Sequence, residues 1–487
     1  MWRRALTLAA LLLAAGCDSS GNQLLPTVQT SADEASDPRF AAVLSYMQHQ
    51  MAEGGVPGGA IAVVVDGQLA FQAGLGVERY GEFTPVTSTT LFRAASLSKM
   101  VLAAAALRMV ELGTLDLTRP ITTYIPSYTL TPPLDADAIT VQQLLEHTSG
   151  VPDFDVDVQC PVGPGEFATW FSTPGVVWTP PGEVWNYSNQ GYSLAGWILQ
   201  SAAEMPYEDV IAHLVFGPAG MTTATFDPVV ATAADHADGF VQTASGAQLA
   251  SPDLLDCEVT RPPGGVIASA VDYAHFAEML LAQGAGPMGP VLTPASVAAL
   301  ETGRVDTHTL PGGAEQYGDG AYVTTGYYGG HAVIHHNGLL DYGYQSSLWL
   351  VPDSQLAVVV FYSGVASVPD NVSRYAIETF LQLPDGSAPD GSTSPATWGP
   401  YAGSYYDPYE LGSITVDLDG GALFVSVPQR GVDAAAMTQQ GGDTFAANID
   451  PAAQLVTFFP GPCGPAQWFV TRGGVGQRQP ECEAGAP

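Results

Sequence analysis

The stretch Leu91-Phe92-Arg93-Ala94-Ala95-Ser96-Leu97-Ser98-Lys99-Met100 decides how this chain reads. Lys99 is the single lysine among 487 residues; the other basic side chains are arginines. It stands three residues after Ser96, at the head of an apolar run, Val101 to Leu112, that predicts a helix. Positions i and i+3 share a helix face, so the Lys99 amine can lie beside the Ser96 hydroxyl. An amine withdrawn from water loses hydration, its pKa falls, and it can accept a proton. A serine next to such a base is an activated nucleophile. The spacing S-x-x-K is weak by itself, because Ser96 could equally cap a helix with Lys99 solvated in its first turn. The rest of the chain separates the two readings.

Length suits two or three domains. Net charge is −34, and no basic cluster follows Arg3-Arg4. Phosphate neutralisation needs clustered Lys and Arg, so nucleic-acid binding is excluded. The acidic surface repels itself and opposes anionic substrates at long range.

Arg3-Arg4 precedes an apolar segment, Ala5 to Ala15, too short to span a bilayer. Leu13-Ala14-Ala15-Gly16-Cys17 then resembles a bacterial lipobox. The expectation is a signal peptide over 1–16, lipidation of Cys17, and a polar tether over 17–37. The chain would be exported and held at the membrane of the bacterial cell envelope by that lipid, on the periplasmic or surface face. Cys160, Cys257, Cys463 and Cys482 remain, an even number that suggests disulfides in an exported chain. Three pairings are possible. Cys160 with Cys257 and Cys463 with Cys482 keeps each bridge inside one domain, each contributing about 2–4 kcal/mol. No C-x-x-C spacing favours a metal, and no cofactor is expected.

Pro38 to Glu53 predicts a helix closed by Gly54-Gly55. Ile61 to Val65 and Leu69 to Phe71 flank Asp66-Gly67, a hairpin signal. Thr140 and Gln143 form a capping box for a short helix ending at His147-Thr148-Ser149-Gly150. His147 is read there as structural, satisfying local backbone groups. Pro180 to Asn189 reads as a loop before a helix, Gln190 to Ala203, which Asn189 could cap. Further helices are expected at Tyr207 to Phe216, Ala270 to Ala282 and Asn371 to Leu381, and strands at Ala332 to His336, Tyr344 to Val351 and Leu356 to Tyr362. The sum is an α+β domain over 38–383, an antiparallel sheet flanked by helices with a helical subdomain. Residues 384–397 read as a linker, 398–475 as a small all-β domain with short strands and glycine turns, and 476–487 as a tail.

Together these residues resemble the penicillin-recognising serine hydrolases: class C β-lactamases, DD-peptidases, D-aminopeptidases and related esterases. Phe92 to Lys99 resembles their first motif, Tyr187-Ser188-Asn189 their Y-x-N motif, and His336-Asn337-Gly338 the H-x-G form of their third. Leu144 to Gly150, Gly191-Tyr192 and Gly264-Gly265 fit as landmarks. The resemblance implies that Ser96 attacks a carbonyl and becomes acylated. Lys99 and Tyr187 would share the proton work, Tyr187 as a phenolate held by Lys99. Asn189 would orient Lys99 and a substrate amide. His336 and Asn337 would edge the pocket, Gly338 would admit close backbone approach, and the N–H groups of Ser96 and Leu339 would form the oxyanion hole, worth about 3–4 kcal/mol per donor.

The third motif carries a neutral His and an Asn where a cation or hydroxyl usually meets a β-lactam carboxylate. A small-molecule or peptide substrate is expected, cell-wall derived or otherwise: an ester, or an amide of a D-amino acid, ahead of a β-lactam. Metal binding by His331, His335 and His336 is disfavoured, because alternation puts His336 on the opposite face. The chain has no G-x-S-x-G, which disfavours an α/β-hydrolase. The rival from another class is a surface-tethered binding or sensor protein that keeps this fold without turnover.

Overall fold

The computed structural model describes residues 37–153, 166–243, 246–250, 256–365, 368–384, 391–449, 453–462 and 464–480. Both ends of the first domain meet in one antiparallel sheet. β1 (Gly58–Val65) and β2 (Gln68–Gly76) form the expected hairpin. Asp66 and Gly67 take φ of 52° and 72°, as a tight two-residue turn requires. Six strands arrive from the second half: β3 (Val305–Asp306), β4 (Glu315–Tyr317), β5 (Tyr322–Thr324), β6 (Val333–Leu340), β7 (Tyr344–Val351) and β8 (Leu356–Tyr362). The order is β2-β1-β8-β7-β6-β5-β4-β3. β7 and β8 are buried along their whole length, which is why they read as continuous apolar runs. The sequence reading placed β6 four residues short at its C-terminal end and missed β3, β4 and β5. Each of those three is only two or three residues long, too short for a period to register.

Helices cover both faces. α1 (Pro38–Gly54) starts on an Asp37 cap, has Pro38 in its first turn and ends on left-handed Gly55, all standard boundary signals. Its buried stripe, Phe40, Val43, Met47 and Met51, packs on one sheet face together with α6 (Pro369–Leu381). Against the other face lie α2 (Ser98–Glu111) and α5 (Ala270–Leu281). α2 is buried almost all round, Ala103 to Ala106 completely, because the helical region covers its far side. That region includes α3 (Val141–Leu145) and α4 (Asn189–Ala203).

Glu301 follows a short helix, Pro294–Leu300, and lines a small apolar cavity with Met100, Phe276 and Leu280. One of its carboxyl oxygens is buried without a partner among the described residues, and burial pushes its pKa up to about 7. The folded state therefore holds this proton more tightly than the unfolded chain does, so stability falls as pH rises from the ordinary glutamate range through about 7. Glu301→Gln is expected to raise Tm by about 1–2 °C at pH ~8 and to leave it unchanged near pH ~4. Thermal melts at the two pH values check this; equal shifts at both would refute the charge argument.

The C-terminal domain is a closed barrel of eight strands: β9 (Gly403–Asp407), β10 (Gly412–Asp419), β11 (Ala422–Val427), β12 (Val432–Gly441), β13 (Thr444–Asn448), β14 (Ala453–Gly461), β15 (Gly464–Thr471) and β16 (Gly474–Gln479). β9 pairs with β16, Ser404 facing Gln479. Residues up to Gln479 thus belong to the closing strand rather than to a tail. Tyr405, Leu423, Val425, Phe445, Phe458 and Phe469 fill the interior. Barrel residues Phe459, Trp468, Val470 and Val475 pack on Trp178, Val184 and Trp185 of the loop before α4. The barrel is therefore fused to the segment that carries Tyr187.

No helix among the described residues is long and apolar enough to cross a membrane. Cys17 with its tether, Cys160, Cys463 and Cys482 lie outside the described residues. Cys257 is buried at 2% exposure.

Candidate active site

Ser96 lies in a 3-10 turn, Ala95–Leu97, just ahead of α2 rather than inside its first turn. Ala95 takes φ 49°, a left-handed conformation that alanine adopts only when its surroundings enforce it. Four hydrogen bonds do so. Ala94 N–H donates to Val266 O at 2.8 Å. Ser98 Oγ donates to Ala95 O at 2.7 Å and accepts from Val266 N–H at 3.1 Å. Ser346 Oγ donates to Ala94 O at 2.6 Å.

β6 passes hard against this turn at Gly338. A Cβ there would stand 2.3 Å from Ser346 Oγ, 2.6 Å from Ala94 O and 2.8 Å from Ala95 Cβ. Gly338→Ala is expected to push the strand off the nucleophile turn, costing about 1–3 kcal/mol of stability and about 10²-fold in acylation rate. Denaturant melts and the rate of adduct formation on Ser96 measure the two. An alanine variant with wild-type acylation would show that the close approach is dispensable.

Lys99 is fully buried. Its Nζ lies 3.0 Å from Ser96 Oγ, 2.8 Å from Asn189 Oδ1 and 2.8 Å from Pro263 O. Loss of hydration pushes its pKa well below the usual lysine value; Asp153 opposes this and Arg472 adds to it. A neutral amine has two hydrogens and one lone pair. Asn189 and Pro263 offer only acceptor oxygens, so the two hydrogens go to them. The lone pair is then left facing Ser96 Oγ, ready to take its proton.

Tyr187 donates its hydroxyl to Ser96 Oγ at 2.8 Å. Its ring lies 4.7 Å from Lys99 Nζ. Burial pushes its pKa up, only partly offset by the bond to Ser96 and by Arg472. The expected phenolate is thus corrected to a phenol, because a buried oxyanion would lose its hydration. Asn189 reaches Lys99 because Ser188, not Asn189, caps α4, its Oγ accepting from Gly191 N–H at 2.9 Å.

His336 is buried, with Nδ1 2.6 Å from Asn337 O and Nε2 3.1 Å from Tyr317 Oη. Nδ1–H donates to the carbonyl and Nε2 accepts the phenol. Burial pulls its pKa down to about 3, so it is neutral. Asn337 does not reach the site: its amide donates to Asp370 Oδ2 at 3.0 Å on the opposite sheet face. Strand alternation is the reason, since His336 and Gly338 take the pocket side. Leu339, next to Gly338 on β6, is exposed. His335 meets Thr324 Oγ1 at 2.9 Å and His331 meets Asp353 at 2.9 Å, and no group of metal-holding side chains occurs among the described residues.

Two charged residues escaped the sequence reading. Asp153 accepts the N–H of Asn189 at 2.7 Å through one oxygen and Arg472 Nε at 2.5 Å through the other. Arg472 comes from the barrel, at the β15–β16 turn, and its guanidinium carbon stands 5.6 Å from the centre of the Tyr187 ring. Its side chain is 61% exposed, a cation at the mouth of the site. The available signal was its rarity: Arg430, Arg472 and Arg478 are the basic residues of 398–487.

A buried amine, a serine and a phenol converging on one oxygen, with a tight strand alongside, define a serine acyl-transfer centre. The sequence pattern of the Beta-lactamase family matches residues 43–382, and the chain belongs to that family. PbpX of Bacillus subtilis (strain 168) is 27% identical over 279 residues, 57% of this chain, which spans 64% of the PbpX length. Penicillin-binding protein 4 of Amycolatopsis lactamdurans is 27% identical over 372 residues, 72% of this chain and 93% of its own. Among solved structures, SurE superposes with a TM-score of 0.68 at 22% identity, covering 91% of this chain and 99% of that one. A class C β-lactamase from Rhodobacter sphaeroides gives 0.55 at 22% identity, over 71% and 99%. These structures share the fold.

Proposed function

We propose that the chain is an exported serine hydrolase that works through an acyl-enzyme on Ser96 and cleaves an amide or ester of a peptide-like substrate, a D-amino-acid derivative ahead of a β-lactam. The observation that carries this is the fully buried Lys99 Nζ, 3.0 Å from Ser96 Oγ. Ser96 Oγ attacks the carbonyl carbon and its proton passes to Lys99 Nζ. The carbonyl oxygen becomes an anion in the N–H groups of Ser96 and Leu339. As the intermediate collapses, Tyr187 passes a proton to the leaving nitrogen or oxygen and regains one from Lys99. Water then repeats the attack on the ester and releases the acid.

Arg472 revises the argument against anions. The third motif lacks a cation, but the barrel supplies one at the pocket mouth, where a substrate carboxylate can pair with it. The fold neighbour SurE was also solved with D-Leu, in keeping with a D-amino-acid end. Lipidation at Cys17 and the pairs Cys160–Cys257 and Cys463–Cys482 belong to the same exported reading. Palmitate labelling abolished by Cys17→Ser and non-reducing peptide mass mapping test those two points.

Intact mass after incubation with penicillin G, and turnover of D-alanine p-nitroanilide and p-nitrophenyl butyrate, test the central reading, with Ser96→Ala alongside. One acyl group per chain, absent from Ser96→Ala, is the expected result. A folded wild-type chain that forms no adduct and turns over neither compound would overturn it in favour of the binding-protein reading.

A further inference from the structure

His147 belongs to none of the three motifs, yet it holds the second from inside. It follows α3 with φ 59°, a conformation few non-glycine residues adopt. Its carbonyl accepts Asn186 N–H at 2.8 Å. Its Nδ1 accepts Ser188 N–H at 3.0 Å, across 41 residues of sequence. Its ring centre lies 4.3 Å from that of Tyr187, with Tyr192 at 4.9 Å and Tyr317 at 4.8 Å around it. The residue is 1% exposed, and Nε2 has no hydrogen-bond partner among the described residues.

Packing alone does not call for histidine here. Leucine or phenylalanine would fill the space without burying an unpaired N–H, which is unfavourable. What the imidazole adds is an acceptor at Nδ1. The donor it meets, the Ser188 amide, sits between Tyr187 and Asn189. One hydrogen bond at that amide therefore sets two side chains, each 2.8 Å from its target in the Ser96–Lys99 pair.

We propose that His147 is a positioning residue for proton transfer: through Nδ1 and its ring face it fixes the Ser188 amide and the Tyr187 ring, so that Tyr187 Oη and Asn189 Oδ1 close on Ser96 and Lys99 together. The expected local role of this histidine is thereby replaced by a long-range one. Burial, with Arg472 adding, holds its pKa well below the usual histidine value, in keeping with a ring that accepts at Nδ1. The inference rests on Ser96 being the nucleophile.

The test uses the full chain, a fluorophosphonate probe for phosphonylation of Ser96, and p-nitrophenyl butyrate for turnover. His147→Leu is expected to slow phosphonylation and kcat by about 10²-fold with KM within about two-fold. His147→Asn places an amide oxygen near the Nδ1 position and is expected to recover all but about five-fold of the rate. Recovery by Asn at matched Tm separates positioning from bulk stability. The proposal is overturned if His147→Leu keeps the wild-type rate or if Asn is no better than Leu. In wild type, nitrogen NMR of the histidine ring is expected to show a bare Nδ1 and a proton on Nε2 at neutral pH. A charged ring, or a proton on Nδ1, overturns the proposal whether or not the variants fold. A wild-type chain that the probe does not label refutes the hydrolase reading instead, and the NMR result still decides the contact.

Discussion

Lys99→Met is expected to slow acylation of Ser96 by about 10³–10⁴-fold, the upper part of the range that a positioned general base supplies. Methionine keeps the length and apolar stem of the side chain but removes the lone pair. It also leaves Asn189 Oδ1 and Pro263 O without their donor, a loss of about 1–3 kcal/mol for each buried acceptor. Lys99→Arg is not a rescue, because a guanidinium stays charged and offers no lone pair. Tyr187→Phe removes a donor to Ser96 rather than the base, so a smaller loss, about 10²-fold, is expected. Single-turnover mass spectrometry with penicillin G or a fluorophosphonate ranks the variants. Wild-type acylation of Lys99→Met, with Tyr187→Phe inactive, would transfer the base role to the phenol and contradict its raised pKa.

Arg472→Ala should move the acidic limb of the kcat/KM profile to higher pH. Arg472 lowers the pKa of Lys99 and Asp153 raises it. Removing the guanidinium leaves Asp153 unopposed, so Lys99 becomes protonated, and idle as a base, at higher pH than in wild type. Each unit of movement costs about ten-fold in rate on the acidic limb. A substrate with a carboxylate near the scissile bond should lose about a further ten-fold or more, as a charge-assisted contact disappears. A neutral ester should show the limb shift alone. Asp153→Asn should move the limb the other way. Because Arg472 is 61% exposed, ~1 M salt should weaken the discrimination between charged and neutral substrates in wild type. Equal losses on both substrates with an unmoved limb would reduce Arg472 to a tether between the two domains.

The helices and strands that were legible are those whose signal is local, as a periodic stripe, a continuous apolar run or a capping or turn pattern. The α1 stripe, the Asp66-Gly67 turn, the Thr140–Gln143 capping box and the β7 and β8 runs all state their environment locally. Asn337 misled because a motif read as a string ignores alternation: adjacent strand residues face opposite ways, and its partner is Asp370 on α6. His147 misled in the other direction. A histidine at a helix end suggests local capping, whereas its Nδ1 partner arrives from a loop 41 residues on.

The sequence by itself singled out Ser96 and Lys99 by their spacing, and Tyr187 and Asn189 by the resemblance of Tyr187-Ser188-Asn189 to a family motif, and the structure brings these four side chains together. It also determined an α+β domain followed by a β domain. Tertiary structure alone decided that the Lys99 pKa is pushed down and the Tyr187 pKa up, since both shifts follow from burial, which no short motif encodes. It decided as well that the barrel lends the site a cation, because the Arg472–Asp153 contact joins residues 319 positions apart, a distance that only the closed barrel and its packing on the Tyr187 loop can bridge.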